Sequence, residues 1–269
     1  MSSPSVCVLN TAGINCNEET AFAFELAGAE TEQRHISELS DHDLQLSDYQ
    51  ILALPGGFSY GDAIASGRIL GLELKTRLRD QVDDFVSIGG LVIGICNGFQ
   101  VLVESGLLPD PVSRPEGPKA ASLIPNKTGD FQCRWSDLRV EASACAFANP
   151  ITMGGDYVEL PSAHGEGQFL QPTPDEYKKL ADQGQIVFRY CGEDGEPTAG
   201  FPDNPNGSPG GITGICDPSG NILGMMPHPE RFVVPQQHPN YHRYKALGQT
   251  IVPHGLPLFE AMVDYAQDS

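Results

Sequence analysis

The sequence predicts an α/β fold, a three-layer sandwich in which helices cover both faces of a mostly parallel central sheet, with an antiparallel extension at one edge. Two observations support this prediction. In the first half of the 269-residue chain, short apolar runs alternate with helical patterns, as they do when parallel strands are buried on both faces. In the second half, longer alternating segments and a turn-rich hairpin replace that rhythm, which indicates antiparallel strands.

The elements follow from the apolar periodicity and the turn residues. The first half is predicted to contain strands over Val6–Leu9, Ile51–Leu54 and Leu91–Ile95, and helices over Glu18–Ala27, Ile69–Val86 and Phe99–Leu107. The second half is predicted to contain strands over Gln132–Ala142 and Tyr157–Leu160, and a hairpin over Gly211–Met226 around the turn D-P-S-G-N. Proline and glycine cluster at 109–118, 195–211 and 227–257, where we expect long loops. Residues 1–269 are expected to form one domain, as an α/β sheet of this size commonly does.

The composition excludes several kinds of function. The 35 acidic and 16 basic residues give a formal charge of −19, which repels nucleic acid phosphates. Because no apolar stretch approaches the roughly 18 residues that span a bilayer and the N-terminus does not resemble a signal peptide, we expect a cytoplasmic protein. The seven cysteines show no C-x-x-C spacing, so neither a disulfide framework nor a bound metal is predicted.

Cys96 lies between a predicted strand and a predicted helix, in the stretch G-I-C-N-G at 94–98. Such a turn strains the backbone of the residue at its tip and lifts the side chain clear of the sheet. The flanking glycines match the G-x-nucleophile-x-G arrangement of hydrolases, with sulfur in place of the usual serine oxygen. The N-terminus of the following helix favours a thiolate. We therefore predict that Cys96 is the nucleophile and that the other six cysteines are structural.

His228 is the predicted base for this nucleophile. It lies in the stretch M-P-H-P-E at 226–230, where prolines on both sides stiffen the loop that carries the imidazole. In extended backbone, residues two apart point the same way, so the Glu230 carboxylate can hold the ring and fix its tautomer. His228 and Glu230 thus complete a predicted triad with Cys96.

An acyl-transfer site also needs N–H donors for the developing oxyanion. The buried run I-L-A-L at 51–54 opens into P-G-G, where no side chain would block a substrate carbonyl from approaching the Gly57 amide. The amide of Asn97, the first residue after the nucleophile, is the second predicted donor.

Three of these motifs, L-P-G-G-F at 54–58, G-x-C-N-G-F-Q at 94–100 and P-H-P-E-R at 227–231, resemble the class I, triad-type glutamine amidotransferases. The longer segments L-P-G-G-F-S-Y-G-D at 54–62, H-G-E-G at 164–167 and G-M-M-P-H-P-E-R at 224–231 are similar to the glutaminase subunits of phosphoribosylformylglycinamidine synthase. The resemblance covers most of the chain. It implies a flavodoxin-like fold with a nucleophile elbow.

The resemblance further implies a subunit that hydrolyses L-glutamine through a cysteine thioester and delivers ammonia to a separate synthetase. That partner would convert formylglycinamide ribonucleotide to formylglycinamidine ribonucleotide in purine synthesis. ATP and magnesium are expected on the synthetase, with no cofactor in this chain; the need for a small third subunit stays open. By the same resemblance, the glutamine is held by residues of three segments: Gln100, Asn126, Phe131, Gly165, Glu166 and Gly167.

Three other interpretations remain open at this stage. The chain could serve as the glutaminase of a different synthetase, against which the F-S-Y-G-D and H-G-E-G segments argue. It could be a free-standing cysteine amidase or peptidase built on a related elbow, which would act without a partner. A non-enzymatic scaffold is disfavoured because Cys96, His228 and Glu230 are all present.

Overall fold

The computed structural model describes residues 3–40, 44–111 and 119–268. The described residues contain eleven strands: β1 (Ser5–Asn10), β2 (Glu30–His35), β3 (Ile51–Leu54), β4 (Leu91–Ile95), β5 (Ser122–Ile124), β6 (Gln132–Val140), β7 (Tyr157–His164), β8 (Gln168–Leu170), β9 (Ile186–Tyr190), β10 (Ile212–Cys216) and β11 (Ile222–Met225). The helices are α1 (Asn17–Leu26), α2 (Ile36–Ser40), α3 (Arg68–Arg77), α4 (Arg79–Ser87), α5 (Asn97–Ser105), α6 (Pro174–Asp182), α7 (Tyr241–Ala246) and α8 (Leu256–Asp268).

Nine strands form the central sheet in the order β2-β1-β3-β4-β11-β10-β9-β6-β7, and β5 pairs separately with β8. The five strands from β2 to β11 are mutually parallel. The four from β10 to β7 are joined by antiparallel pairs, and β10 with β11 forms the predicted hairpin. The predicted mixed sheet with an antiparallel extension is therefore confirmed.

Helices lie on both faces of the parallel half. The chain leaves β1 in one direction to reach β2 and leaves β3 in the other direction to reach β4, so right-handed crossovers place α1 and α3 on opposite faces. α8 joins α1, with the rings of Phe24 and Phe259 4.9 Å apart. α5 lies directly against α3, because a Cβ on Gly71 would come within 2.6 Å of Glu104 Cβ.

The sequence missed several boundaries and two strands of the sheet. The helix predicted over Ile69–Val86 is two helices, α3 and α4, which meet at Leu78, where the backbone is not helical. The predicted strand Gln132–Ala142 ends at Val140, and the strand predicted to end at Leu160 continues to His164. β2 was missed because its sequence, E-T-E-Q-R-H, is polar and lacks the apolar run that marked the predicted strands. A polar strand is tolerated there because β2 lies at an edge of the sheet. β9 is apolar and buried, and was not predicted.

The strand order brings the predicted motifs together. β4 has β3 on one side and β11 on the other, and all three run in the same direction. The loops that follow them start with P-G-G after β3, Cys96 after β4 and M-P-H-P-E after β11. In open α/β sheets, sites form at the carboxyl ends of parallel strands. Of the three predicted long loops, 195–211 contains only a short helical segment, and 227–257 contains short helical segments and the first two residues of α8. Residues 112–118 of the third lie outside the described residues.

Candidate active site

Cys96 is the tip of a strained turn between β4 and α5. Its φ of 50° and ψ of −103° lie outside the regions that non-glycine residues usually adopt. A Cβ on Gly98 would come within 1.9 Å of the Leu54 carbonyl oxygen, and one on Gly94 within 2.6 Å of the Gly98 carbonyl oxygen. Both glycines are thus required by the close approach of α5 to the sheet. This is the geometry of a nucleophile elbow.

His228 and Glu230 form a buried hydrogen-bonded pair. His228 Nδ1 donates to Glu230 Oε1 at 2.6 Å, and both side chains are almost fully buried. The backbone N–H of His228 donates to the Pro161 carbonyl at 2.7 Å, which fastens the loop to β7. With Nδ1 engaged, Nε2 is the remaining nitrogen for proton transfer, and it is buried without a hydrogen-bond partner among the described residues.

The environment of His228 favours the protonated ring. Burial alone would lower the pKa of His228, but the Glu230 carboxylate, followed by Cys96 and Cys16, raises it well above its usual value. Cys96 Sγ donates to the Ala163 carbonyl at 3.5 Å, so the end of β7 borders the nucleophile. An imidazole held protonated beside a cysteine can act as a general acid.

The two predicted oxyanion donors lie beside Cys96, Gly57 in the loop after β3 and Asn97 at the first position of α5. Neither the Gly57 N–H nor the Asn97 N–H donates to another of the described residues. A Cβ on Gly56 would come within 2.8 Å of His228 Cε1, so the P-G-G loop borders the imidazole. Gly57 has a φ of 143°, and a Cβ added there would come within 2.8 Å of the Gly13 carbonyl oxygen, so the position excludes a side chain. The geometry therefore leaves both amides available.

Asn97 and Gln100 connect the elbow to its neighbouring loops through their side chains. Asn97 Oδ1 accepts from the Ser59 N–H at 3.2 Å, and its Nδ2 donates to Gln100 Oε1 at 2.9 Å. Gln100 Nε2 donates to the Glu166 carbonyl at 2.5 Å. Both ends of the Gln100 amide are thus engaged, and in this structure Gln100 anchors the loop of Gly165, Glu166 and Gly167.

Asn126 also anchors that loop. Its Nδ2 donates to the carbonyls of His164 and Asp130 at 2.7 and 2.9 Å, while its Oδ1 accepts from the Gly167 N–H at 3.0 Å. These contacts use both N–H donors and the oxygen of the Asn126 amide. Phe131, in contrast, is 54% exposed and lies against Gly165, so it is an accessible aromatic side chain and not part of the core.

His164 is a neutral histidine buried under the same loop. Asn126 Oδ1 accepts from Gly167, so His164 Nδ1 must donate to that oxygen at 3.0 Å, and His164 Nε2 accepts from the Tyr190 hydroxyl at 3.3 Å. Burial first, and then the charge of His228, lower the pKa of His164 to about 4.

This buried histidine predicts a loss of stability in acid. The unfolded chain binds a proton at His164 near pH 6.5, whereas the folded chain does so only near pH 4. The stability present above pH 6.5 is therefore lost as the pH falls to about 4, by about 3 kcal/mol for this group. Urea unfolding between pH 7 and 4 should show a shallower pH dependence for His164→Gln than for the unmodified chain. Equal pH dependence in the two would contradict the prediction.

Sequence reasoning missed two side chains beside the His228–Glu230 pair, Cys16 and Arg231. Arg231 Nη2 donates to Cys16 Sγ at 3.0 Å. Cys16, His228 and Glu230 each place a potential donor atom within 4.8 Å of one another, the one such group among the described residues. The arrangement does not fit a metal, because the 2.6 Å between Nδ1 and Oε1 is shorter than the roughly 3.3 Å that separates two donors on a zinc ion. The Arg231 guanidinium beside the sulfur also opposes a second cation.

The elbow, the His–Glu pair and the free amides define a class: cysteine-dependent amidotransferases of the triad type. Residues 3–266 match the family model described as a CobB/CobQ-like glutamine amidotransferase domain. The chain is 44% identical to a phosphoribosylformylglycinamidine synthase subunit PurQ from Dehalococcoides mccartyi, over 99% of both chains, and 40% identical to one from Methanococcus maripaludis, over 97% of both.

Among solved structures, the PurLQS structure from Thermotoga maritima contains a chain similar to this one. The two superpose with a TM-score of 0.70 at 28% identity, over 98% of this chain and 99% of the other. The chain therefore belongs to the PurQ family of glutamine amidotransferase subunits. Among the described residues, no helix is both long enough and apolar enough to cross a membrane.

Proposed function

We propose that this chain is the glutaminase subunit of phosphoribosylformylglycinamidine synthase, with Cys96, His228 and Glu230 as its catalytic residues. The observation that carries the proposal is the strained Cys96 turn at the end of β4, next to a strand, β11, whose following loop bears the hydrogen-bonded His228–Glu230 pair. Full-length similarity to PurQ subunits supports the assignment.

The reaction follows from the geometry. The Cys96 thiolate attacks the side-chain carboxamide carbon of glutamine, and the Gly57 and Asn97 N–H groups stabilise the oxyanion. Protonated His228 gives its Nε2 proton to the departing nitrogen, which leaves as ammonia, and a glutamyl thioester remains on Cys96. His228 then takes a proton from water, which attacks the thioester and releases glutamate. Glu230 holds the ring through Nδ1 and stabilises the imidazolium in both steps.

The remaining assignments concern the substrate and the partner. The Gly165, Glu166 and Gly167 loop and the exposed Phe131 border the substrate, with Gln100 and Asn126 holding that loop in place. Ammonia passes to a synthetase that binds ATP and magnesium and forms formylglycinamidine ribonucleotide. This chain acts in the cytoplasm as one domain, without a cofactor or metal of its own.

Glutamate release from glutamine by the purified chain tests this proposal, alone and with the synthetase, ATP and formylglycinamide ribonucleotide. We expect the complete mixture to stimulate glutamate release strongly, because an amidotransferase subunit should have little activity until its synthetase binds. Equal release in both conditions would contradict the assignment and indicate a free-standing amidase or a different partner. Peptide hydrolysis by the chain alone would indicate a cysteine peptidase.

A further inference from the structure

A second thiol lies beside the catalytic pair and takes no part in the reaction described above. Cys16 precedes α1, and its side chain is only 1% exposed. A Cβ built on Gly56 would be 3.1 Å from Cys16 Sγ and 2.8 Å from His228 Cε1, so the sulfur and the imidazole face the same backbone atom. The sulfur is therefore part of the wall that confines the ring.

The hydrogen bonds of Cys16 fix the orientation of its sulfur. Sγ accepts from Arg231 Nη2 at 3.0 Å and donates to Asn15 Oδ1 at 3.3 Å. Burial raises the pKa of Cys16, more than the nearby His228 lowers it, so the group is a neutral thiol at pH 7. A neutral thiol can make both contacts at once, one as acceptor and one as donor.

Arg231 brings a positive charge to the buried carboxylate of Glu230. Glu230 is fully buried, and its Oε2 has no hydrogen-bond partner among the described residues. Nearby positive charge stabilises a buried carboxylate, and the protonated His228 ring already supplies one such charge at Oε1. Burial lowers the pKa of Arg231, but Glu19, and then Cys16 and Glu230, raise it, so its guanidinium adds a second positive charge that interacts with Glu230. Arg231 Nε donates to Glu19 Oε1 at 2.7 Å. The guanidinium is thus held from two sides, by Glu19 on α1 and by Cys16.

We propose that Cys16 and Arg231 are positioning residues for the His228–Glu230 pair. Arg231 adds a second positive charge near Glu230, beyond that of protonated His228, and Cys16 keeps the guanidinium in place while its sulfur prevents rotation of the imidazole. Nδ1 of His228 then stays on Glu230, and Nε2 stays available for the proton that ammonia carries away. The activity readout below rests on the proposed function; the spectroscopic readout does not.

The kinetic test uses Cys16→Ala and Cys16→Ser in the complex with the synthetase, with Cys7→Ala as the matched control. Cys7 is an equally buried thiol in β1 and makes no contact with His228. We expect Cys16→Ala to lower kcat for glutamate release by about 10- to 100-fold, part of the roughly 10²–10⁴-fold that a positioned general acid contributes. KM should stay within about twofold. Serine retains an acceptor for Arg231 and should restore part of the rate, and Cys7→Ala should keep kcat.

Arg231 is tested in the same way. Arg231→Gln removes the second positive charge near Glu230 and should lower kcat as Cys16→Ala does, whereas Arg231→Lys should recover part of it. Arg34→Gln is the control, since Arg34 has a similar exposed fraction, 31% against 34%, and pairs with Glu32 away from the site.

The spectroscopic test follows the downfield proton resonance of His228 Nδ1–H in chain labelled with ¹⁵N-histidine. Cys16→Ala and Arg231→Gln should shift or broaden this signal, while the two controls leave it unchanged. The proposal would be overturned if Cys16→Ala left this signal unchanged and had the same kcat as the Cys7→Ala control. If neither the unmodified chain nor any variant releases glutamate, the proposed function fails. In that case, a signal that still responds to Cys16→Ala supports the positioning role on its own.

Discussion

Cys96→Ala is expected to abolish glutamine use while leaving synthesis from added ammonium intact. In the proposed reaction the Cys96 thiolate forms the thioester, and no other described thiol occupies a strained turn at the end of a parallel strand. Loss of the nucleophile of a triad costs on the order of 10⁶-fold in kcat. The measurement is formation of formylglycinamidine ribonucleotide by the complex with ATP, first with glutamine and then with ammonium as the nitrogen source.

The control for this experiment is Cys145→Ala. Cys145 is a fully buried cysteine away from the elbow, so its removal tests the loss of a core thiol without loss of the nucleophile. We expect this variant to retain glutamine-dependent synthesis. Glutamine use retained by Cys96→Ala would remove Cys96 from the mechanism. Loss of ammonium-dependent synthesis as well would mean that the synthetase itself is impaired in the preparation, and would contradict an effect confined to the nucleophile.

The elbow could be predicted from the sequence because its constraints are local. Gly94 and Gly98 are needed by contacts that α5 makes with the adjoining strands, and they fall at fixed spacings from Cys96. The His228–Glu230 pair is likewise local, since the two residues are two apart and interact directly. In motifs of this kind, the spacing of the residues along the chain is enough to predict their geometry.

Cys16 and Arg231 could not be predicted in the same way. They are 215 positions apart, and they meet only because β1 and β11 lie in one sheet with their carboxyl ends at the same edge. Nothing at either position distinguishes a thiol that touches the catalytic pair from one in the core. The pairing depends on strand order, which the local apolar pattern does not specify.

The substrate residues illustrate a second limit. Asparagine is common in turns, but the side chain of Asn126 bonds to residues up to 41 positions away along the chain. Phenylalanine is among the residues most often buried, but the Phe131 side chain is exposed. The residue type indicates how often a side chain is buried in proteins generally. The exposed fraction of a particular side chain depends on which loop packs above it.

Gly98→Ala is expected to destabilise the fold and to disable the site, although alanine normally stabilises a helix relative to glycine by about 0.5–1 kcal/mol. The sign reverses because the new Cβ would lie 1.9 Å from the Leu54 carbonyl oxygen. That atom belongs to the backbone of β3 and cannot rotate away, so α5 must move. Overpacking of this kind costs about 1–3 kcal/mol, and a contact between backbone atoms favours the upper end.

Movement of α5 also displaces the nucleophile and the Asn97 amide that precede Gly98. A misplacement of about 1 Å can lower catalysis on the order of 10²-fold, so glutamate release should fall even where the variant remains folded. Urea unfolding and glutamate release by the complex measure the two effects. Gly200→Ala is the control, because its Cβ would meet only Thr198 Oγ1 at an ordinary 3.5 Å. If Gly98→Ala were as stable and active as this control, α5 could not pack on β3 as closely as the structure shows, and the elbow would not owe its geometry to the glycine.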